Sequence, residues 1–243
     1  MTSNQHDPAA FRSASPPPAQ FGRLIRLVDV WLADGREIVP AEGNDSPYYR
    51  AAKRVLDIAV ASLLLTLLSP LMSIVWLLLE LTGGQAILRQ TRLGHRGRPF
   101  TLFKFRTMCL DAAQRQHEVV NEQNGPIFKN RRDPRVTFLG RWLRVTSIDE
   151  LPQLVNVLCG EMSLVGPRPP LASEVARYKS WQRRRLAVKP GLTCLWQVSG
   201  RSEIGFDDWV RMDLWYIRHQ RLLVDLQLLA KTPLSVITMR GAY

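Results

Sequence analysis

Two adjacent carboxylates, Asp149 and Glu150, are the side chains best placed to do chemistry in this 243-residue chain. The four histidines, His6, His95, His117 and His219, are scattered, and the three cysteines, Cys109, Cys159 and Cys194, form no CxxC pair. A histidine triad, a zinc site and a disulfide framework are therefore unsupported, and separated thiols suit a reducing cytoplasm. The sequence contains neither a Walker motif nor a dinucleotide GxGxxG. What remains is carboxylate chemistry among guanidinium groups. An aspartate can take up a phosphoryl group covalently, and a divalent metal beside it would neutralise diphosphate oxygens.

The elements around the pair can be read locally. Ser147 followed three residues later by Glu150 has the form of a capping box, with Leu151, Leu154, Val155 and Leu158 as the apolar face and Gly160 as the stop. This predicts a helix whose first turn carries Asp149, where the helix dipole favours anions and attracts phosphate. Residues 86–88 and 100–105 read as strands of a hairpin around the 94–97 turn, with Lys104 and Arg106 on the second strand. Residues 111–124 are helical in composition, and Phe138, Leu139, Trp142 and Leu143 recur at helical spacing. Proline-rich segments at 166–170 and 189–191 flank a cationic helix containing Arg177, Lys179, Arg183, Arg184 and Arg185. Trp196, Trp209, Trp215 and Tyr216 lie near Arg211, Arg218 and Arg221, a composition that suits a membrane interface or an ordinary core. Residues 222–237 are apolar enough to rest on a bilayer.

The longest signal is an uncharged apolar run of 22 residues, 58–79, interrupted by Ser69-Pro70. A span needs roughly 20 such residues. Pro70 removes a backbone donor and favours a kink, and the Ser69 hydroxyl can satisfy a group so freed. Arg50, Lys53 and Arg54 precede the run, and Arg89, Arg92, Arg96 and Arg98 follow it. Cations at both ends favour a re-entrant pair of half-helices over a single crossing. Asp57 at the apolar boundary needs a partner, for which Lys53 or Arg54 stand at helical spacing. The formal charge is +12, carried almost wholly beyond residue 52, so the expected partner is anionic. The first fifty residues lack the apolar core of a secretory signal, and Pro16-Pro17-Pro18 fits a loosely ordered arm.

Taken in order, Lys53-Arg54-x-x-Asp57, Ser69-Pro70, Lys104-Phe105-Arg106-Thr107-Met108, Asp149 to Leu154, Gly166-Pro167-Arg168-Pro169, and Pro190-Gly191-Leu192-Thr193 through Trp196-Gln197-Val198-Ser199-Gly200-Arg201 resemble the bacterial sugar transferases, the monotopic phosphoglycosyl transferases. The resemblance covers about residues 50–243 and implies transfer of a sugar 1-phosphate from a UDP-sugar to a polyprenyl phosphate, with release of UMP. In that scheme Asp149 is the nucleophile and Glu150 its acidic partner. Mg²⁺ is the expected ion, with Asp149 as its ligand. Lys104, Arg144, Arg168, Gln197 and Arg201 match positions that bind phosphate or nucleotide-sugar. Ser69 and Pro70 match the break of a re-entrant helix, and Lys53, Arg54 and Asp57 its anchoring end. The absence of further spanning helices and the ending resemble short members that start exopolysaccharide synthesis, often with galactose or glucose.

The expected fold is mainly α with a small β-hairpin (α+β), monotopic in the membrane, with a kinked re-entrant helix-break-helix and interfacial amphipathic helices. The expected domains are an arm (1–49), the re-entrant segment (50–82) and a catalytic domain (83–243) on the cytoplasmic face of the bacterial inner membrane. No nucleic-acid partner is expected. The competing reading is a tethered, non-enzymatic cationic protein that binds acidic lipid or nucleic acid, with a steep salt dependence.

Overall fold

The computed structural model describes residues 43–122, 125–128, 130–199 and 205–237. Most of the arm expected at 1–49, including its proline run, lies outside them.

Helix α1 (Pro47–Leu81) is 35 residues long and starts on a proline, whose missing N–H costs nothing at a helix start. Its helical backbone continues through Pro70, so the half-helices expected on either side of Ser69-Pro70 meet without a non-helical linker. The reason is local. Pro70 leaves the Thr66 carbonyl without its usual amide partner, and the Ser69 hydroxyl donates to that carbonyl at 2.8 Å. Among the described residues α1 is the one helix long and apolar enough to cross a membrane. Leu63 and Leu67 on it are 64% and 69% exposed, so its outer surface is greasy and uncovered by protein.

Both ends of α1 dock on the same body. At the start, Lys53 pairs with buried Asp225 at 3.1 Å, and Tyr49 donates to the same carboxylate. Arg54 donates to the Val157 and Leu158 carbonyls at 2.7 Å each. Asp57 accepts from the Ser163 hydroxyl at 3.0 Å and the Leu164 amide at 2.9 Å. The hydrogen-bond partners of Asp57 are thus distant in sequence, while Lys53, one of the two cations expected from spacing, acts on it through charge. At the far end, Arg106 donates to the Leu79 carbonyl and the Thr82 hydroxyl.

Strands β1 (Ile87–Leu93) and β2 (Pro99–Phe105) form the antiparallel hairpin, with Ile87 opposite Phe105 and Leu93 opposite Pro99. The turn puts Arg96 at φ 56° and Gly97 at φ 74°. Helix α2 (Phe138–Val145) begins at Thr137, whose hydroxyl accepts from the Gly140 amide. Helix α3 (Gln153–Cys159) ends at Gly160 in the left-handed conformation, as the sequence predicts. Strands β3 (Ser163–Val165) and β4 (Gly191–Thr193) pair in parallel, with the short helix α4 (Ala172–Ala176) between them. Helices α5 (Phe206–Arg218) and α6 (Leu222–Ile237) complete the described fold. The largest buried side chains include Leu102, Leu154, Met162, Leu164, Leu195, Leu214, Ile217 and Leu228.

Two local expectations change, and one open alternative is decided. Of the stretch 111–124, the described residues 111–122 form turns and a 3-10 segment, Gln114–Glu118, rather than an α-helix. The cationic stretch forms no α-helix: Arg177 caps the end of α4, Lys179 follows outside any helix, and Arg183, Arg184 and Arg185 lie in a 3-10 segment, Gln182–Ala187, from which Arg185 turns inward to meet Asp213 at 2.6 Å. Trp196, Trp209, Trp215 and Tyr216 are buried and belong to the core, not to an interface. In α5 nearly every residue from Trp209 to Ile217 is covered, and composition alone does not separate that from lipid contact.

Gly140 shows how tightly α2 is seated: a Cβ there would lie 1.9 Å from the Thr107 carbonyl oxygen. Gly140→Ala should lower Tm, with overpacking costing about 1–3 kcal/mol. Helix propensity alone would add about 1 kcal/mol of stability, so a rise in Tm would show that α2 is loosely packed.

Candidate active site

Three elements converge on the acidic pair. β2 carries Lys104, α2 carries Arg144, and a 3-10 turn, Ile148–Glu150, carries Asp149 and Glu150. Asn156 of α3 fixes their relation, accepting from the Phe103 amide at 3.1 Å and donating to the Thr101 carbonyl at 2.7 Å. The capping box expected at Ser147 does not form. Ser147 sits at φ 57° with no side-chain cap bond, and α3 starts only after Pro152. The carboxylates are therefore displayed on a tight turn before the helix. A left-handed non-glycine residue costs about 1–2 kcal/mol, and such strain persists where surrounding contacts dictate the geometry.

Lys104 Nζ lies 2.7 Å from Glu150 Oε1, both side chains partly exposed. Asp149 beside them is buried, at 8% exposure. Burial pushes its carboxyl up from 3.8 to about 6; Lys104 pulls it down, Glu150 pushes it up and Arg144 pulls it down. Arg144 is itself held by its Nε donating to the Thr107 hydroxyl at 3.0 Å. Its burial weakens its hold on the proton, and the Asp149 charge partly restores it.

A second tier of cations surrounds this core. Arg92, buried in β1, has its pKa lowered to about 10 by burial and by Arg168, with Glu174 and Glu150 opposing. It donates to the Pro169 carbonyl at 3.1 Å, and the Leu93 amide donates to the Pro170 carbonyl. The buried Arg185 donates to the Arg168 carbonyl at 3.2 Å. Arg168 sends its guanidinium over the Trp209 ring, 5.7 Å from its centroid. The proline-rich loop is thus clamped so that the Arg168 charge is felt by both Arg92 and Arg144.

The structure brings Lys104, Arg144, Asp149 and Glu150 together, with Arg168 within charge range of Arg144. Gln197 is held in the loop after β4, where its side-chain oxygen accepts from the Cys194 thiol and its carbonyl from the Ser235 hydroxyl. Arg201 lies outside the described residues. Lys53, Arg54, Asp57, Ser69 and Pro70 stand on α1. Sequence reasoning missed Arg92 and Arg185 as parts of the site, having read them as a flanking charge and as part of a cationic helix. Their only signal is a charged residue in an otherwise inward-facing position. An open recess lined by Arg89, Thr91, Thr101 and Phe103 lies on the face of the hairpin opposite Lys104, and takes no part in this arrangement.

No group of three or more metal-ligating side chains occurs among the described residues. Two carboxylates fit a magnesium ion only in the way that ion commonly binds, through one or two protein oxygens completed by substrate phosphate and water.

The folded value of Asp149 lies above its unfolded one, so the stability it contributes is complete below about pH 4 and is lost as pH rises through about 6. Asp149→Asn should therefore stabilise the protein at pH 8, by about 1–3 kcal/mol. Thermal melts of the two forms should converge toward pH 4, and equal Tm values at pH 8 would show the carboxylate to be well solvated.

Residues 48–239 match the profile of the bacterial sugar transferase family. The undecaprenyl-phosphate galactose phosphotransferase of Salmonella typhimurium is 42% identical over 202 residues, covering 80% of this chain and 42% of that protein. The galactosyl transferase CpsE of Streptococcus agalactiae is 43% identical over 194 residues, covering 79% and 43%. The exopolysaccharide production protein ExoY of Sinorhizobium fredii is 39% identical over 213 residues, covering 84% and 94%. The chain thus spans about half the length or less of the first two and nearly all of the third. A match running from the start of α1 to the end of α6, with the acidic turn and its arginines inside it, means that the chain belongs to the bacterial sugar transferase family.

Proposed function

We propose that this protein transfers a hexose 1-phosphate from a UDP-sugar to a polyprenyl phosphate at the cytoplasmic face of a bacterial inner membrane, starting an exopolysaccharide. The observation that carries the reading is the buried Asp149 on a strained turn, within the charge field of Lys104, Glu150 and Arg144. Relatives named for galactose favour galactose as the hexose, with glucose kept as the alternative from the sequence reading.

In this reading an Asp149 oxygen attacks the donor phosphorus that bears the sugar. A carboxylate-oxygen-phosphorus bond forms, the bond to the bridging oxygen breaks, and UMP leaves with that oxygen. An oxygen of the polyprenyl phosphate then attacks the same phosphorus, and the electron pair returns to the Asp149 carboxylate. Desolvation keeps the nucleophile reactive, while Arg144, Arg168 and Lys104 stabilise the charge gathered on the phosphoryl oxygens. Arg92, with its own bond to the loop, adds to that field. Lys104 is held by Glu150, so the acidic partner also orients a cation. Asp149 and Glu150 would hold a magnesium ion, which would supply neutralisation of the donor phosphate charge.

The docking of α1 supports a re-entrant anchor. Arg54 near its start bonds to Val157 and Leu79 near its end to Arg106, both in one body, although a straight helix would set those two residues about 38 Å apart. A single crossing would part those ends. Burial of Arg92 and Arg185, with Arg144 largely withdrawn from water, also argues for a site over the rival reading of a cationic surface.

Full-length protein in nanodiscs, incubated with UDP-galactose or UDP-glucose and magnesium but no acceptor, should gain one phosphohexose by intact mass, mapped to Asp149. Asp149→Asn should gain none; an unmodified wild-type protein that still turns over would exclude the covalent route. Adduct formation should fall as pH drops through about 6, because the protonated carboxyl does not attack. Glu150→Gln should move that limb to lower pH, removing a charge that raises the Asp149 value and freeing Lys104. A limb that stays in place would assign it to another group.

A further inference from the structure

Arg185 is 2% exposed and Asp213 1%. Taking such a pair out of water is costly, and apolar residues of similar volume often fill the same space at no loss of stability. Stability is therefore a poor account of the pair, and its directed bonds are a better one. Gln182 and Arg185 stand three apart in a 3-10 segment, where side chains at that spacing eclipse, so both reach α5. Gln182 Nε2 donates to Asp207 Oδ1 at 2.7 Å, and Arg185 Nη2 meets Asp213 Oδ2 at 2.6 Å. The remaining bonds of Arg185 run to the Tyr178 hydroxyl at 3.0 Å and to the Arg168 carbonyl at 3.2 Å. Trp209, one turn before Asp213 on α5, lies under the guanidinium groups of both Arg168 and Arg185, at 5.7 and 5.3 Å from its ring centroid.

We infer that Arg185 and Asp213 are positioning residues for the transfer: through one backbone bond and one shared indole, the buried pair sets where the Arg168 charge stands relative to Arg92 and Arg144. The loop needs such a device because Pro167, Pro169 and Pro170 have no amide to donate. It is held instead through its carbonyls, each by a different donor. The Gly191 amide takes Pro167, Arg185 takes Arg168, Arg92 takes Pro169 and the Leu93 amide takes Pro170. The bond at the residue that carries the charge is thus the one supplied from behind, by a side chain whose counter-ion is Asp213. Because Trp209 belongs to the same helix as Asp213, backbone and side chain of Arg168 are both referred to α5. Displacements near an ångström cost large factors in rate, so a loosened Arg168 slows the chemistry while the fold stays intact. This catalytic consequence rests on the transferase reading given above; the placement of Arg168 does not.

The test uses the full chain in nanodiscs with magnesium and UDP-galactose or UDP-glucose. The variant Tyr178→Phe/Arg185→Met/Asp213→Leu replaces the buried charges and the hydroxyl bonded to them by apolar groups, and should keep its Tm within a few degrees. Adduct formation should nevertheless slow on the order of tenfold. Arg185→Lys keeps a charge beside Asp213 but lacks the fork that serves three partners, and should slow the reaction in the same direction. In an Arg168→Ala background neither change should slow it further, since nothing is then left to position. Losses that add to that of Arg168→Ala would overturn the inference, as would full rates in both variants. A triple variant that unfolds while Arg185→Lys reacts at the full rate would show the pair to be structural alone. The NMR signal of the Arg168 Nε–H, assigned with Arg168→Lys, should be shifted upfield by the Trp209 ring and move back in the triple variant; an unchanged signal would refute the placement. A wild type that forms no adduct under any condition would refute the transferase reading and leave the NMR signal to decide the positioning by itself.

Discussion

The junction of α1 with α3 is the constraint on which the rest depends. Arg54 caps the last-turn carbonyls of α3, where the helix dipole is negative. Asp57, one turn further along α1, takes the Ser163 hydroxyl and the Leu164 amide at β3. A short helix whose other end adjoins the acidic turn is thereby bonded to the lipid-facing helix. Asp225 reinforces the joint, accepting from Tyr49, Lys53 and Tyr216 and so tying α1 to α5 and α6. The depth of Asp149 relative to the apolar surface is consequently a property of hydrogen bonds, not of a flexible linker.

The site balances two opposing electrostatic costs. Removing a carboxylate from water raises the cost of its charge, and gathering several guanidinium groups in a partly buried space raises theirs. Each cost is offset by the other: Arg144 and Lys104 stabilise ionised Asp149, while Asp149 stabilises Arg144 and Glu150 stabilises Arg92. In the transfer proposed above, a dianionic diphosphate entering this space would meet cations already desolvated and fixed by carbonyls and hydroxyls. Little reorganisation is left for the moment of reaction. Asp213 and Arg185 perform the same balancing one layer deeper, where their pair supports the carbonyl of Arg168.

Local features were legible in the chain because they are enforced by neighbouring residues. The 94–97 turn, the Gly160 stop, the helical stripe of Phe138, Leu139, Trp142 and Leu143, and the apolar run of α1 all follow from torsional freedom or periodicity. Reading failed where a local preference competes with packing. Ser147 has the composition of an N-cap, yet the chain must reverse between α2 and the acidic turn, and this pushes it to a left-handed conformation. For Trp209 and Trp215 beside arginines, composition left interface and core open, and the enclosure of α5 on nearly all sides decided for the core.

By itself the sequence determined the acidic pair, the basic balance, the lipid-sized helix and the ordered motifs that mark the family, since each is a matter of residue type and spacing. Only the tertiary structure decided which charges face which. Lys104 reaches Glu150 across 46 residues of sequence, and Asp57 reaches Ser163 across 106. The physical reason is that electrostatic and hydrogen-bonding partners are chosen by proximity in space, and proximity between distant segments is set by core packing that no local pattern encodes.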